Sequence, residues 1–233
     1  MGGDGILSFL AVWKQAGEHM ITIEQARAYY RGADPIHDFQ HVLRVLVLAE
    51  RLAEMEGADQ EVVRVAALLH DIARTEDDNR TSRFAMQVEA ETDHAILAAR
   101  QARHILADAP PQFVDAVAHA IEAHRFRNNV EPQTIEAKVL FDADKLDAIG
   151  AVGVARAFSY SGYLGMPLWG EVPASYSPGA SGELHTPRHE FEVKLKHIKE
   201  RLYTASGRKL AEARHRFMEL FFEQMAAEVA GER

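Results

Sequence analysis

Apolar residues recur along this chain at spacings of three and four, the repeat that lines one face of an α-helix. The pattern predicts helices near residues 20–31, 39–56, 59–73, 93–107, 111–125, 133–158, 188–203 and 207–230. Sustained period-two alternation is absent, so the expected fold class is all-α, a helical bundle. Gly57, Pro110-Pro111 and Pro132 mark short connections. Residues 159–187 break the pattern. They are rich in Gly, Ser and Pro and carry Tyr160, Tyr163, Trp169 and Tyr176, which predicts a long irregular loop, either a lid able to stack on a base or a plain connection. Met20 is an alternative start, leaving residues 1–19 as an N-terminal extension and 20–233 as one domain ending in two helices. The stripe Phe217, Leu220, Phe221 and Met225 on the last helix suits core or a homodimer surface.

Several of these apolar stripes carry metal-capable side chains. His41 precedes Val45, Leu48 and Leu52 at spacings of four, three and four. His70 follows Val63 and Ala66, with Asp71 next to it at the end of that helix. Carbonyls left unpaired at a helix C-terminus favour a cation there. His124 shares a stripe with Val117 and Ile121, and Leu140 shares one with Asp144 and Asp147. Burying one such group is costly, and two carboxylates facing a core repel one another unless a cation or a donor lies between them. Each His taken singly fits a hydrogen-bonded core residue, and the dipeptide His70-Asp71 alone has little specificity.

Composition narrows the chemistry. The chain has 233 residues, enough for a substantial core, with 47% hydrophobic and 26% charged residues. It has no cysteine, which excludes disulfides, zinc-thiolate sites and a cysteine nucleophile. The formal charge of -9 argues against gripping long nucleic acid through its phosphates. Basic residues still gather near the histidines, at Arg44, Arg74, Arg80, Arg83, Arg125, Arg127, Lys145 and Arg156; most suit solvated helix faces, with Lys145 and Arg125 the exceptions. The short apolar run Ile6–Trp13 follows Asp4, which fits neither a membrane span nor a signal peptide, so the expected location is cytoplasmic with no membrane partner.

His41, His70-Asp71 and Asp144 stand in the order H…HD…D, and the sequence resembles the HD-domain superfamily of metal-dependent phosphohydrolases. The local words His41-Val42-Leu43-Arg44-Val45, Ala67-Leu68-Leu69-His70-Asp71-Ile72 and Ala143–Gly150 are similar to the family's contexts. Further likeness at His37-Asp38, Asp93-His94-Ala95, Ile121–Phe126 and Gly150–Phe158 is to small bacterial HD hydrolases that include nucleoside-triphosphate pyrophosphohydrolases. The resemblance implies His41, His70, Asp71 and Asp144 as metal ligands. Two nitrogens and two carboxylates suit manganese, iron, cobalt, nickel or zinc better than magnesium. It implies a small phosphorylated substrate, most naturally a nucleotide, with triphosphate cleaved to monophosphate and pyrophosphate as the sharpest version.

The needs of phosphate-ester chemistry at such a site suggest catalytic roles for Lys145, His94, His124 and Glu76. Substrate binding falls to His37, Arg125, Arg74 and Asp147. Lys145 and the arginines offset phosphate charge, and one of Glu76, Asp77 and Asp78 orients the attacking water. His94 and His124 also occupy the order used by HD domains that hold two metals. Our expectation is one metal, with these two histidines serving as phosphate donors or a general acid. The alternatives are an HD-fold diiron oxygenase of the myo-inositol oxygenase kind and a non-catalytic domain that binds a nucleotide.

Overall fold

The computed structural model describes residues 20–30, 39–73, 93–126, 128–173, 175–176 and 185–232. Among them all regular structure is helical. The expected N-terminal extension, and His37, Arg74 and Glu76, lie outside the described residues. In chain order the helices are α1 (Ile23–Arg27), α2 (Phe39–Glu56), α3 (Gln60–Leu69), α4 (His94–Ile105), α5 (Pro111–Glu122), α6 (Ile135–Asp147), α7 (Gly150–Tyr163), α8 (Pro187–Val193) and α9 (Ala205–Val229). A 3-10 helix, Leu195–Arg201, joins α8 to α9.

Local chemistry places most helix starts. Thr22 and Gln25 form a reciprocal capping box on α1, and Asp59 accepts from the Glu61 and Val62 amides at α3. Asp93, Thr134 and Thr204 cap α4, α6 and α9 in the same way, while Pro111 sits at the first position of α5. In the N-terminal body α2 packs on α6 and α3, and α5 packs on α4, α3 and α6. Val42, Val45, Leu52, Val63, Leu68, Val117, Ile121, Leu140 and Leu146 are wholly buried between these helices. Each such side chain contributes roughly 1.5–3 kcal/mol. The C-terminal helices form a second layer, with α9 crossing α7 and α6. No helix among the described residues is long and apolar enough to cross a membrane.

The structure revises three expected elements, one being the helix expected over 188–203, which is α8 followed by the 3-10 helix with Lys194 between them. The single helix expected over 133–158 is two, ending at Asp147 and restarting at Gly150. Gly150 has φ +79, which a residue with a Cβ adopts only at a cost, and Arg214 from α9 packs against its α-carbon. Arg214 also donates to the Leu146 carbonyl, satisfying an exposed end of α6. The irregular segment begins after Tyr163 rather than at Ser159, so Tyr160 and Tyr163 lie on α7, their rings 6.4 Å apart. Packing of Phe158 on Phe221 and Phe222 carries that helix through a Ser- and Gly-containing stretch of low propensity. The described part of the loop is tied to α8: Arg188 lies over the Trp169 ring and pairs with Glu171, and Tyr176 bonds His185, which bonds Glu190. No member of the α9 stripe is fully buried: Phe221 and Met225 are half-buried and Phe217 and Leu220 exposed, while the neighbouring Phe222 enters the core.

Candidate metal centre

Five separate segments bring their polar residues to one buried point. His41 comes from the first turn of α2, His70 and Asp71 from the end of α3, and His94 from the start of α4. His124 follows α5, and Asp144 lies in the last turn of α6. His70 is 0% exposed, His41 1%, His124 2%, and Asp71 and His94 3%. At those depths, groups of this polarity need partners or a bound cation.

Asp71 stands at the centre. Its Oδ2 lies 3.8 Å from His41 Nε2 and 3.6 Å from His70 Nε2. Its Oδ1 lies 3.3 Å from His94 Nε2 and 3.5 Å from His124 Nε2. Two ligand groups result, His41/His70/Asp71 and Asp71/His94/His124, each with its donor atoms within 4.8 Å of one another. Asp144 closes the first side, with Oδ1 3.4 Å from His41 Nε2.

The outer nitrogens fix what the inner ones offer. His70 Nδ1 lies 2.8 Å from the Ala67 carbonyl and His124 Nδ1 lies 2.6 Å from the Ile121 carbonyl. A carbonyl only accepts, so each Nδ1 carries a proton, and in the neutral ring Nε2 presents a lone pair to the interior. Burial pushes the His124 pKa down to about 4, which keeps that ring neutral at physiological pH. His41 Nδ1 donates in the same sense to Asp147 Oδ2 at 2.8 Å. Burial opposes charge on His41, but hydrogen bonds to Asp144 and Asp147 together outweigh it and raise its pKa. Its Nε2 faces Asp71 and Asp144, where a bound cation would take the place of a proton. Imidazole nitrogens aimed at two carboxylates, with His70 Nε2 only 3.4 Å from His41 Nε2, fit a cation held between them.

The surrounding residues refine the expected roles. Asp147, expected to bind substrate, has its carboxylate occupied within the protein: Arg44 donates to Oδ1 at 2.7 Å, and Arg156 and His41 reach Oδ2 at 2.7 and 2.8 Å. Burial would raise its pKa, but the bonds from His41 and Arg44 hold it well below the usual carboxylate range. Lys145 Nζ is 2.5 Å from Asp144 Oδ2 and lies over the rings of Phe126 and Phe141. Burial lowers the Lys145 pKa, while Lys145 and His41 keep Asp144 ionised against its own burial. Arg125 pairs with Asp93, the residue that caps α4 and so places His94.

Tyr30, which follows α1, has no motif to mark it. Its hydroxyl donates to the Leu68 carbonyl at 2.9 Å, at the end of α3 that presents His70 and Asp71. Burial and the Asp71 carboxylate push the phenol pKa well up, so it remains a neutral donor. Tyr30→Phe should keep the ring packing on Phe39 and lose this tether. Metal affinity should fall roughly tenfold, as measured by titration of the metal-free protein; unchanged affinity would reduce Tyr30 to a packing residue.

Comparison with known proteins follows the same residues. The HD domain profile matches residues 38–149, the span that contains His41, His70, Asp71, His94, His124 and Asp144. The protein YpgQ of Bacillus subtilis is 35% identical over 199 residues, which are 84% of this chain and 85% of that protein. The chain belongs to the HD-domain superfamily. As an HD protein it matches the crystal structure of Bacillus subtilis YpgQ in complex with ADP, with a TM-score of 0.66 and 30% identity over 91% of this chain and 100% of that one. An HD-superfamily hydrolase from Bacillus thuringiensis matches with a TM-score of 0.61 and 28% identity, over 89% of this chain and 96% of the other. Ribonuclease Y of Chloroflexus aurantiacus is 33% identical over 120 residues, 52% of this chain but only 20% of that enzyme. The HD-superfamily hydrolase fold and its buried His/Asp groups are thus in place in this chain.

Proposed function

We propose that this HD hydrolase is a metal-dependent phosphohydrolase acting on a small phosphorylated metabolite, a nucleotide foremost. Conversion of a nucleoside triphosphate to monophosphate and pyrophosphate is its sharpest form. The observation that carries this reading is the set of inward imidazole nitrogens around Asp71 and Asp144, with the Lys145 ammonium beside them. Support comes from the ADP held by YpgQ and the likeness to Ribonuclease Y, both on the side of nucleotide phosphates. His41, His70, Asp71 and Asp144 would hold a divalent manganese, iron, cobalt, nickel or zinc ion, with magnesium less suited to the nitrogen donors. Such an ion supplies Lewis acidity toward a phosphoryl oxygen and lowers the pKa of a water.

The protein's own groups then divide the work. Asp147, held by Arg44 and Arg156, keeps the His41 ring in one tautomer and orientation. Lys145 offsets charge on the reacting phosphate, and Arg125 places the start of α4 through Asp93. The test is hydrolysis of a panel of nucleoside mono-, di- and triphosphates with each metal in turn, scored for phosphate and pyrophosphate. Metal-loaded protein inactive on every member would end this reading, and oxygen consumption by the iron form would move it to the oxygenase alternative.

One observation favours two cations over the single one expected above. The Oδ1 of Asp71 faces His94 and His124 while its Oδ2 faces His41 and His70, so one carboxylate serves both groups. On this reading His94 and His124 are ligands rather than phosphate donors. The protein should carry two metal equivalents per chain by elemental analysis, and His124→Ala should carry one. A stoichiometry of one in the wild type would return the two histidines to the substrate.

A further inference from the structure

Arg201 ends the 3-10 helix, far in sequence from every motif, yet its guanidinium lies 3.6 Å from the centre of the Phe126 ring. Lys145 Nζ lies 5.1 Å from the same centre. The two charges can be no farther apart than the sum of those distances, inside one Debye length of about 10 Å at 0.1 M salt. Their compensation differs. Lys145 pairs with Asp144 and Arg125 with Asp93, whereas no carboxylate among the described residues lies within 4 Å of the Arg201 side chain. Phe126 covers one face of that guanidinium, and a stacked guanidinium keeps its N–H edge for planar, two-pronged binding of phosphate. Phe126 itself packs edge-on against Phe141, and Phe141 against Tyr203, so the platform is anchored in α6 and beside α9.

Committing Asp144 to a cation sharpens the imbalance. Its carboxylate is the acceptor that now balances Lys145, and sharing it with a cation leaves Lys145 and Arg201 as an undercompensated pair around the Phe126 ring. Like charges this close favour an anion that reaches both.

We propose that Arg201 selects for the length of the phosphate chain: it binds the phosphate next to the one seated at Lys145, so the site takes nucleoside di- and triphosphates over monophosphates. This rests on the phosphohydrolase reading. The probes are inorganic tripolyphosphate and orthophosphate, titrated calorimetrically into the manganese-loaded full-length protein. Wild type should prefer tripolyphosphate. Arg201→Ala should weaken tripolyphosphate roughly five- to tenfold, the loss of one charge-assisted contact at an exposed position, and change orthophosphate less than twofold. Arg201→Lys should recover part of the loss, and the KM for the best triphosphate should rise more than kcat falls. Equal weakening of both probes would make Arg201 a general field effect, and no weakening would make it a cover for Phe126; either overturns the inference. Active hydrolysis of monophosphates and triphosphates alike, with no dependence on Arg201, would sink it while the phosphohydrolase reading stands. A nucleotide panel without turnover removes that reading instead, whatever the two probes show.

Discussion

Asp71→Ala should empty the centre of metal and abolish hydrolysis, a larger effect than loss of any one histidine. Both carboxylate oxygens are used: Oδ2 faces His41 and His70, and Oδ1 faces His94 and His124. Truncation removes the anionic ligand common to both groups, leaving His94 and His124 with imidazole nitrogens alone and the first group with Asp144 as its one carboxylate. Neutral nitrogens alone hold a divalent ion less well than a set that neutralises its charge. Activity should fall about a thousandfold or more, on the order of 4 kcal/mol in transition-state stabilisation. Metal content should drop from two equivalents to a small residue, while the circular dichroism stays helical because α3 and α5 keep their apolar packing. His124→Ala should be milder, since His41, His70, Asp71 and Asp144 remain. Elemental analysis beside single-turnover kinetics checks both. An Asp71→Ala protein that keeps its metal and its rate would show that the cluster is merely a packed polar group.

Helical periodicity made much of this centre legible. The stripes through His41, His70, His124 and Leu140/Asp144 imply inward side chains, and the structure brings all four to one point. Periodicity says which face a residue occupies but not what lies across from it. Asp147 shares the inward stripe with Asp144, yet one helical turn moves it behind His41, where Arg44 and Arg156 fill its carboxylate. Those two arginines read as solvated charges in sequence because their partner is 103 and 9 residues away, respectively. Tyr30 and Arg201 escaped for the same reason: one acts through a backbone carbonyl and the other through an aromatic ring, and neither leaves a motif. The break at Gly150 had a local signal in the glycine itself, but its cause is Arg214, which arrives from α9.

Truncation of Asp142, two residues before Asp144, should produce the largest loss of stability among single changes near the site. Asp142 is 0% exposed, and its carboxylate reaches the start of α9. Its Oδ1 accepts the Tyr203 amide at 2.9 Å, and its Oδ2 accepts the Thr204 amide at 2.8 Å and the Thr204 hydroxyl at 2.6 Å. Burial pushes its pKa up against those donors, so the charge itself contributes little. The loss in Asp142→Ala comes from leaving three donors dry in a packed interior, about 3 kcal/mol and a fall in Tm on the order of 10 °C. Gly207 provides the cross-check, because a Cβ there would collide with Asp142 Oδ2 and Thr204 Oγ1. Gly207→Ala should therefore destabilise the wild type more than it destabilises Asp142→Ala, which has already vacated the space. A double-mutant cycle by denaturant unfolding measures that coupling, expected at roughly 0.5–3 kcal/mol for groups in contact. Metal content per folded chain should stay at the wild-type value in all three variants. Strictly additive losses, or metal lost in step with stability, would mean that Asp142 serves the centre rather than the joint between α6 and α9.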